Sequence, residues 1–371
     1  MVEKTAQPPH GSGRAPDDPR LWPFAAAQLA MDACFWWLER APVEQAGSSL
    51  PWTTPNSVAL ELATMQLRDC SRIPSGQAAL VCAPYALHRA LIADFAPGHS
   101  VVQSLQDGGI DRVYLTDWRS ATSDMRYLSI DSYLGDLNVA IDEIGAPVDL
   151  VGLCQGGWLS LVYAARFPAK VRRLVLVGAP VDSSIESSLS RLARNAPELV
   201  YEQLVARGGG NVSGEEMLRL WSKAPDHDDI VAALQRDLSD EQGSALLARF
   251  DCWNAATLNL PGAYYLEIVN GIFRENQIAG GSFVALGRPI DLKAVKTPIF
   301  LLAGLDDDVV PATQALATAN LVGTPPAFIA AASEPSNHLG LFMGARTHAQ
   351  AWPRIAEWLR GDLPGVLARS A

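Results

Sequence analysis

The chain has 371 residues, 49% of them hydrophobic, which is enough to bury one large core or one core carrying an inserted cap. Its net charge is -11, and no stretch concentrates Lys and Arg among aromatics, so nucleic acid is excluded as an expected partner. The five cysteines, Cys34, Cys70, Cys82, Cys154 and Cys252, are scattered without a Cys-x-x-Cys or Cys/His cluster, which argues against a disulfide framework or a metal site and for a reducing, cytoplasmic setting.

Residues 1–20 are polar and rich in Pro and Gly, and are expected to form a disordered tail with no secretory signal. Residues 21–57 are expected to be an N-terminal aromatic-rich helical segment, with the helical pattern running from Leu21 to Arg40 and carrying Trp22, Phe24, Phe35, Trp36 and Trp37. It reads either as a helix packed on the body or as a surface for a partner subunit or a lipid-like polymer. Pro23, Gln28 and Asp32 interrupt its apolar run, so it is a poor bilayer span and no transmembrane segment is expected.

Residues 58–182 read as the first part of an α/β core. Val58 to Arg68 alternates like an edge strand, Ala78 to Cys82 and Val113 to Leu115 are apolar strand runs, and Ser100 to Gln106 and Tyr133 to Ile144 repeat at helical spacing. Arg172 to Val177 is the next buried strand. Strands alternating with helices imply a mostly parallel sheet covered on both faces. The rhythm stops after Asp182, and residues 183–295 are expected to be a mainly helical cap inserted over the site. The acidic run Asp226-His227-Asp228-Asp229 within it reads as a solvated loop rather than a metal fragment. The second part of the core, residues 296–371, resumes with the strand Pro298 to Ala303, then a strand at Ala327 to Ala331 and a closing helix from His348 to Arg360.

The chemistry centres on Val148 to Trp158. An apolar strand reaches Gly152-Leu153-Cys154-Gln155-Gly156-Gly157 and leaves as a helix, which is a nucleophile elbow with cysteine in the usual place of serine. Glycines on both sides supply the permissive dihedrals and close approach that such a turn demands. Cys154 would stand at the N-terminus of the helix, where the dipole favours a thiolate, and the amide of Gln155 would face a developing oxyanion. An acid from Asp306 to Asp308 and His338 follow in the order nucleophile, acid, histidine, each after a strand, which is the order of α/β-hydrolase triads. His338 would take the thiol proton, and the aspartate would fix its tautomer. The second oxyanion donor should come from the loop after Cys82; Pro84 has no amide hydrogen, which leaves Tyr85 or Ala86. A thiolate exchanges with a thioester in a nearly balanced reaction, whereas an oxyester must expel a far poorer leaving group. Acyl-CoA donors therefore suit this elbow better than oxyesters do.

With these residues in place, the chain resembles the polyhydroxyalkanoate synthase family, within the α/β-hydrolase superfamily. The matching stretches are Gly152 to Gly157, His88 to Phe95 with Gly98-His99-Ser100-Val101-Val102, Val113 to Trp118, Ala179 to Asp182, Trp253-Asn254 through Leu260-Pro261-Gly262, Pro289 to Leu292, Asp307 to Pro311, and Asn337-His338. The resemblance implies Cys154 as the acylated nucleophile, Asp307 as the acid and His338 as the base. It implies transfer of 3-hydroxyacyl groups from coenzyme A to a polyester chain, with no cofactor beyond that thioester substrate. Trp158, Asp308 and His88 depart from the residues usual in the family at those places. The chain length is nearer that of the short synthases, which implies a homodimer or a synthase partner subunit, and the polymer granule surface as a place of work. Leu341-Phe342-Met343-Gly344 with Trp352-Pro353 also resembles intracellular polyester depolymerases. A hydrolase or thioesterase with the same Cys-His-Asp triad is therefore the first alternative, and a catalytically idle granule-associated protein is the second.

Overall fold

The computed structural model describes residues 50–221 and 240–361. The expected tail, the aromatic helix and the run Asp226 to Asp229 lie outside the described residues. Eight strands form one sheet: β1 (Ser57–Glu61), β2 (Met65–Asp69), β3 (Ala78–Cys82), β4 (Arg112–Trp118), β5 (Val148–Leu153), β6 (Val171–Val177), β7 (Ile299–Gly304) and β8 (Ile329–Glu334). Their spatial order is β1-β2-β4-β3-β5-β6-β7-β8. The pairs β1 with β2 and β2 with β4 are antiparallel, and every later pair is parallel. Neighbouring side chains on a strand point to opposite faces, so the burial of every residue in β3, β5 and β7 means that both faces are covered.

Helices α1 (Val101–Asp107), α2 (Ile130–Ile144), α3 (Gln155–Arg166), α4 (Ala312–Leu321) and α5 (Ala345–Arg360) follow β3, β4, β5, β7 and β8. The crossover α3 packs on β5 and β6, and α1 packs on α5. Ser100 caps α1 by accepting the Gln103 amide. The N-terminal part of the chain differs from the sequence reading in two ways. The expected single strand from Val58 to Arg68 is a hairpin, because Leu62 N bonds Met65 O at 2.9 Å and the amide and hydroxyl of Thr64 are both held by Asp136. Residues 50–57, expected at the end of a helical segment, are not helical. Thr54 instead donates its amide and its hydroxyl to the two oxygens of the buried Asp94, at 2.8 and 2.7 Å, which fastens the entry to β1 onto the core.

The described residues between β6 and β7 are mainly helical, with helices Ser188–Asn195, Glu198–Arg207, Gly214–Trp221, Asp240–Ala255 and Gly262–Glu267 and a π-helical stretch Ile268–Arg274. Main-chain bonds stitch this cap to the loops after β3 and β4: Leu258 N donates to Leu87 O at 2.8 Å, and Ala121 N donates to Asn259 O at 2.9 Å. The indole of Trp253 donates to Arg89 O at 3.3 Å, and the His88 ring donates to Asn254 O at 3.1 Å. Burial pushes His88 down to about 4, so this histidine is a neutral strut between core and cap.

Candidate active site

The elbow follows from the sequence at each step. Strand β5 ends at Leu153 and α3 begins at Gln155, which leaves Cys154 alone in the turn at φ 49° and ψ -117°. A non-glycine residue with positive φ is strained and persists only when its surroundings over-determine it. Here Cys154 N donates to Val177 O at 2.9 Å, and Gly157 N to Cys154 O at 2.8 Å. A Cβ on Gly156 would lie 2.1 Å from Cys82 O, and one on Gly152 would lie 2.6 Å from Gly157 Cα. Only glycine permits the strand, turn and helix to close this tightly.

Asp307, the expected acid, sits just past the end of β7. Asp307 is buried, and its Oδ1 accepts the amides of Val309 and Val310 at 2.9 and 2.8 Å. Its Oδ2 lies 2.7 Å from Nδ1 of His338. Asp306 and Asp308 are exposed, so of the three carboxylates only Asp307 faces the histidine. His338 is also within hydrogen-bonding reach of the Cys154 side chain. Burial on its own pushes the imidazole down, but the Asp307 carboxylate and Cys154 outweigh it and hold the ring well above its ordinary value.

Gly178, at the end of β6, was not among the residues singled out from sequence. It has φ 53°, and a Cβ there would stand 3.3 Å from His338 Cε1 and 3.1 Å from a Leu341 methyl. The available signal was a glycine ending a strand immediately before Ala179-Pro180.

Gln155 is the first residue of α3, so its amide is one of the helix donors without an intrahelical acceptor. In the loop after β3, Ala83 is held by Thr116 Oγ1 on its amide and by the Trp118 indole on its carbonyl, at 3.0 and 2.7 Å. The carbonyl of Tyr85 faces the Tyr264 hydroxyl at 3.5 Å. Neither the Tyr85 nor the Ala86 amide is paired among the described residues. Tyr85 itself is buried, stacked on Tyr133 and tilted against Tyr264, at ring distances of 4.7 and 5.2 Å.

The fold recurs in a monoacylglycerol lipase from Paleococcus ferrophilus, with a TM-score of 0.54 at 14% identity, over 81% of this chain and 99% of that one. Residues 219–362 match a family described as PHB de-polymerase C-terminus. Two curated relatives are each called poly(3-hydroxyalkanoate) polymerase subunit PhaC. The one from Haloferax mediterranei is 27% identical over 74% of this chain, and the one from Synechocystis is 29% identical over 74% of it. The chain thus resembles poly(3-hydroxyalkanoate) polymerase subunits over about three quarters of its length. The match spans 57% of the Haloferax relative's length and 76% of the Synechocystis one. With the α/β-hydrolase fold, the chain carries Cys154, His338 and Asp307 beyond strand ends, where that fold presents its reacting groups.

Proposed function

We propose that the chain transfers 3-hydroxyacyl groups from coenzyme A thioesters to a growing polyester through an acyl-Cys154 intermediate. The observation that carries this reading is a cysteine elbow facing the His338–Asp307 pair in a chain that resembles poly(3-hydroxyalkanoate) polymerase subunits. His338 withdraws the Cys154 proton, and the sulfur attacks the thioester carbonyl. The tetrahedral oxyanion is held by the Gln155 amide together with that of Tyr85 or Ala86. Collapse breaks the bond to the CoA sulfur, which leaves with the proton from His338 as free CoA. His338 then takes the proton of a chain-end hydroxyl, whose oxygen attacks acyl-Cys154, and the released thiol is reprotonated. Asp307 stabilises the charged imidazole throughout.

The reading extends to a homodimer or partner subunit and to work in the cytoplasm at a polymer granule surface. No helix among the described residues is long and apolar enough to cross a membrane. The depolymerase-named match over residues 219–362 favours a second reading, hydrolysis by the same three residues. One assay separates the two: purified protein is given 3-hydroxybutyryl-CoA, CoA release is followed with a thiol reagent, and the acyl product is sized. Polymer or long oligomer is expected. Monomeric 3-hydroxybutyrate would replace the transfer reading with hydrolysis, and absence of both CoA release and acyl-Cys154 would leave an idle triad.

A further inference from the structure

Three consecutive carbonyls close the short helix Gly340–Met343 that follows His338, and each accepts from an aromatic ring nitrogen. Trp352 Nε1 donates to Leu341 O at 3.1 Å, His348 Nε2 to Phe342 O at 2.8 Å, and His99 Nδ1 to Met343 O at 2.6 Å. A helix of four residues cannot sustain itself, and its last carbonyls have no partners within it. The donors are external: His348 and Trp352 lie one turn apart on α5, and His99 directly precedes Ser100, the cap of α1.

The histidines act in one protonation state. A carbonyl only accepts, so Nε2 of His348 carries the proton and Nδ1 is the acceptor for Ser104 Oγ, 2.8 Å away. Burial pushes His348 down to about 3 and also lowers His99, which keeps both rings neutral.

The helix they hold carries the contacts to the reacting histidine. Phe342 meets the His338 ring edge-on, with centroids 5.2 Å apart, and Leu341 N donates to His338 O at 3.3 Å. Asn337 Oδ1 accepts the Gly340 amide at 2.9 Å, so the residue before His338 is fastened to the same helix.

We propose that His99 and His348 are positioning residues: by capping Phe342 and Met343 they hold this helix, and through Phe342 they set the His338 ring against Cys154. The proposal rests on the reading of Cys154, His338 and Asp307 as the reacting group. A role in stability alone would not require the capping groups to be felt at the sulfur.

The test uses the full chain and measures the rate of iodoacetamide alkylation at Cys154 by peptide mass spectrometry, with thermal melts alongside. His99→Leu and His348→Leu remove the donors. His99→Asn keeps a donor at the place of Nδ1, and His348→Gln keeps one at the place of Nε2. The leucine variants are expected to slow Cys154 alkylation about tenfold or more, since misplacement of reacting groups by an ångström costs rate on that scale, and the amide variants are expected to restore it to within about threefold. Unchanged alkylation in folded leucine variants overturns the proposal, as does equal slowing in the leucine and amide variants. If the leucine variants do not fold, Ser104→Ala carries the test by removing the bond that fixes the His348 tautomer; slower alkylation supports the proposal, and an unchanged rate overturns it. Alkylation needs no acyl substrate, so failure to make polymer would count against the transfer reading and leave this result standing.

Discussion

Nδ1 of His338 lies 2.7 Å from one oxygen of Asp307, and the other oxygen of that carboxylate already accepts two main-chain amides, those of Val309 and Val310. This division of labour fixes what Asp307→Asn would do. The amide oxygen of the new side chain would stay with the two main-chain donors, turning its NH2 group toward Nδ1. Nδ1 would then have to accept, the ring proton would move to Nε2, and His338 would lose its ability to take the Cys154 proton. CoA release is expected to fall about 10³- to 10⁴-fold with the fold retained. Asp308→Asn alters an exposed side chain whose neighbour contact, Ser188 N to Asp308 O, is main-chain. It is expected to stay within about twofold of the parent. Comparable losses in both variants would mean that Asp307 is not the acid.

The thiols should separate sharply in reactivity. Burial, aided by the nearby Asp94 and Asp69, pushes Cys70 up to about 12, and burial pushes Cys82 up to about 12 against hydrogen bonds from Ser160 and Thr116. At pH 8 a thiol of that kind is ionised in roughly one molecule in 10,000. Timed alkylation with peptide mapping is expected to label Cys154 while Cys70 and Cys82 remain intact, and 3-hydroxybutyryl-CoA is expected to protect Cys154. Labelling of Cys70 or Cys82 at the Cys154 rate in folded protein would contradict the assigned environments.

The elbow and the parallel strands were legible because local rules write them into the sequence: glycines around Cys154, and apolar runs in β3, β5 and β7. The order of nucleophile, acid and histidine was also visible, but the choice of Asp307 from three neighbouring acids came only through family resemblance. Its physical basis is the pair of amides from Val309 and Val310, a turn geometry that composition does not encode. The partners of His88 and His99 are main-chain carbonyls far along the chain, at Asn254 and Met343, and His348 meets the Ser104 side chain 244 residues away, so no local pattern marks these histidines. The break between β1 and β2 was missed for the same reason, since Thr64 turns there to reach Asp136, 72 residues later.

Two glycine substitutions should have opposite signs. In Gly156→Ala the new methyl would meet the carbonyl oxygens of Cys82 and Ala83 at 2.1 and 2.8 Å, and neither main-chain atom has room to retreat beneath the elbow. A loss of about 3 kcal/mol or more is expected, with loss of Cys154 reactivity. In Gly135→Ala the methyl would have nothing within 4 Å, and the position lies inside α2, where alanine is the better helix former. A gain of roughly 0.5–1 kcal/mol is expected. Denaturant melts of both variants check the pair, and a destabilised Gly135→Ala would show that α2 is constrained by something other than its own backbone.

Asp149 on β5 offers a pH-dependent test of the sheet's interior. Its side chain is fully buried, one oxygen is held by Arg172, and Oδ1 has no partner among the described residues. Burial raises its pKa from 3.8 to about 6, and Arg172 and Arg173 offset only part of that. A carboxyl raised by folding contributes stability that is complete below its unfolded pKa and is lost as pH climbs through the folded one. The parent should therefore lose roughly 3 kcal/mol from this group across that window, most of it between pH 4 and 6. Asp149→Asn is uncharged at every pH and has no such loss. The stability of the variant relative to the parent is expected to rise by roughly 2 kcal/mol between pH 4.5 and 7 in urea melts. A difference that stays flat with pH would mean that Asp149 is ionised throughout and that its pairing with Arg172 fully compensates its burial.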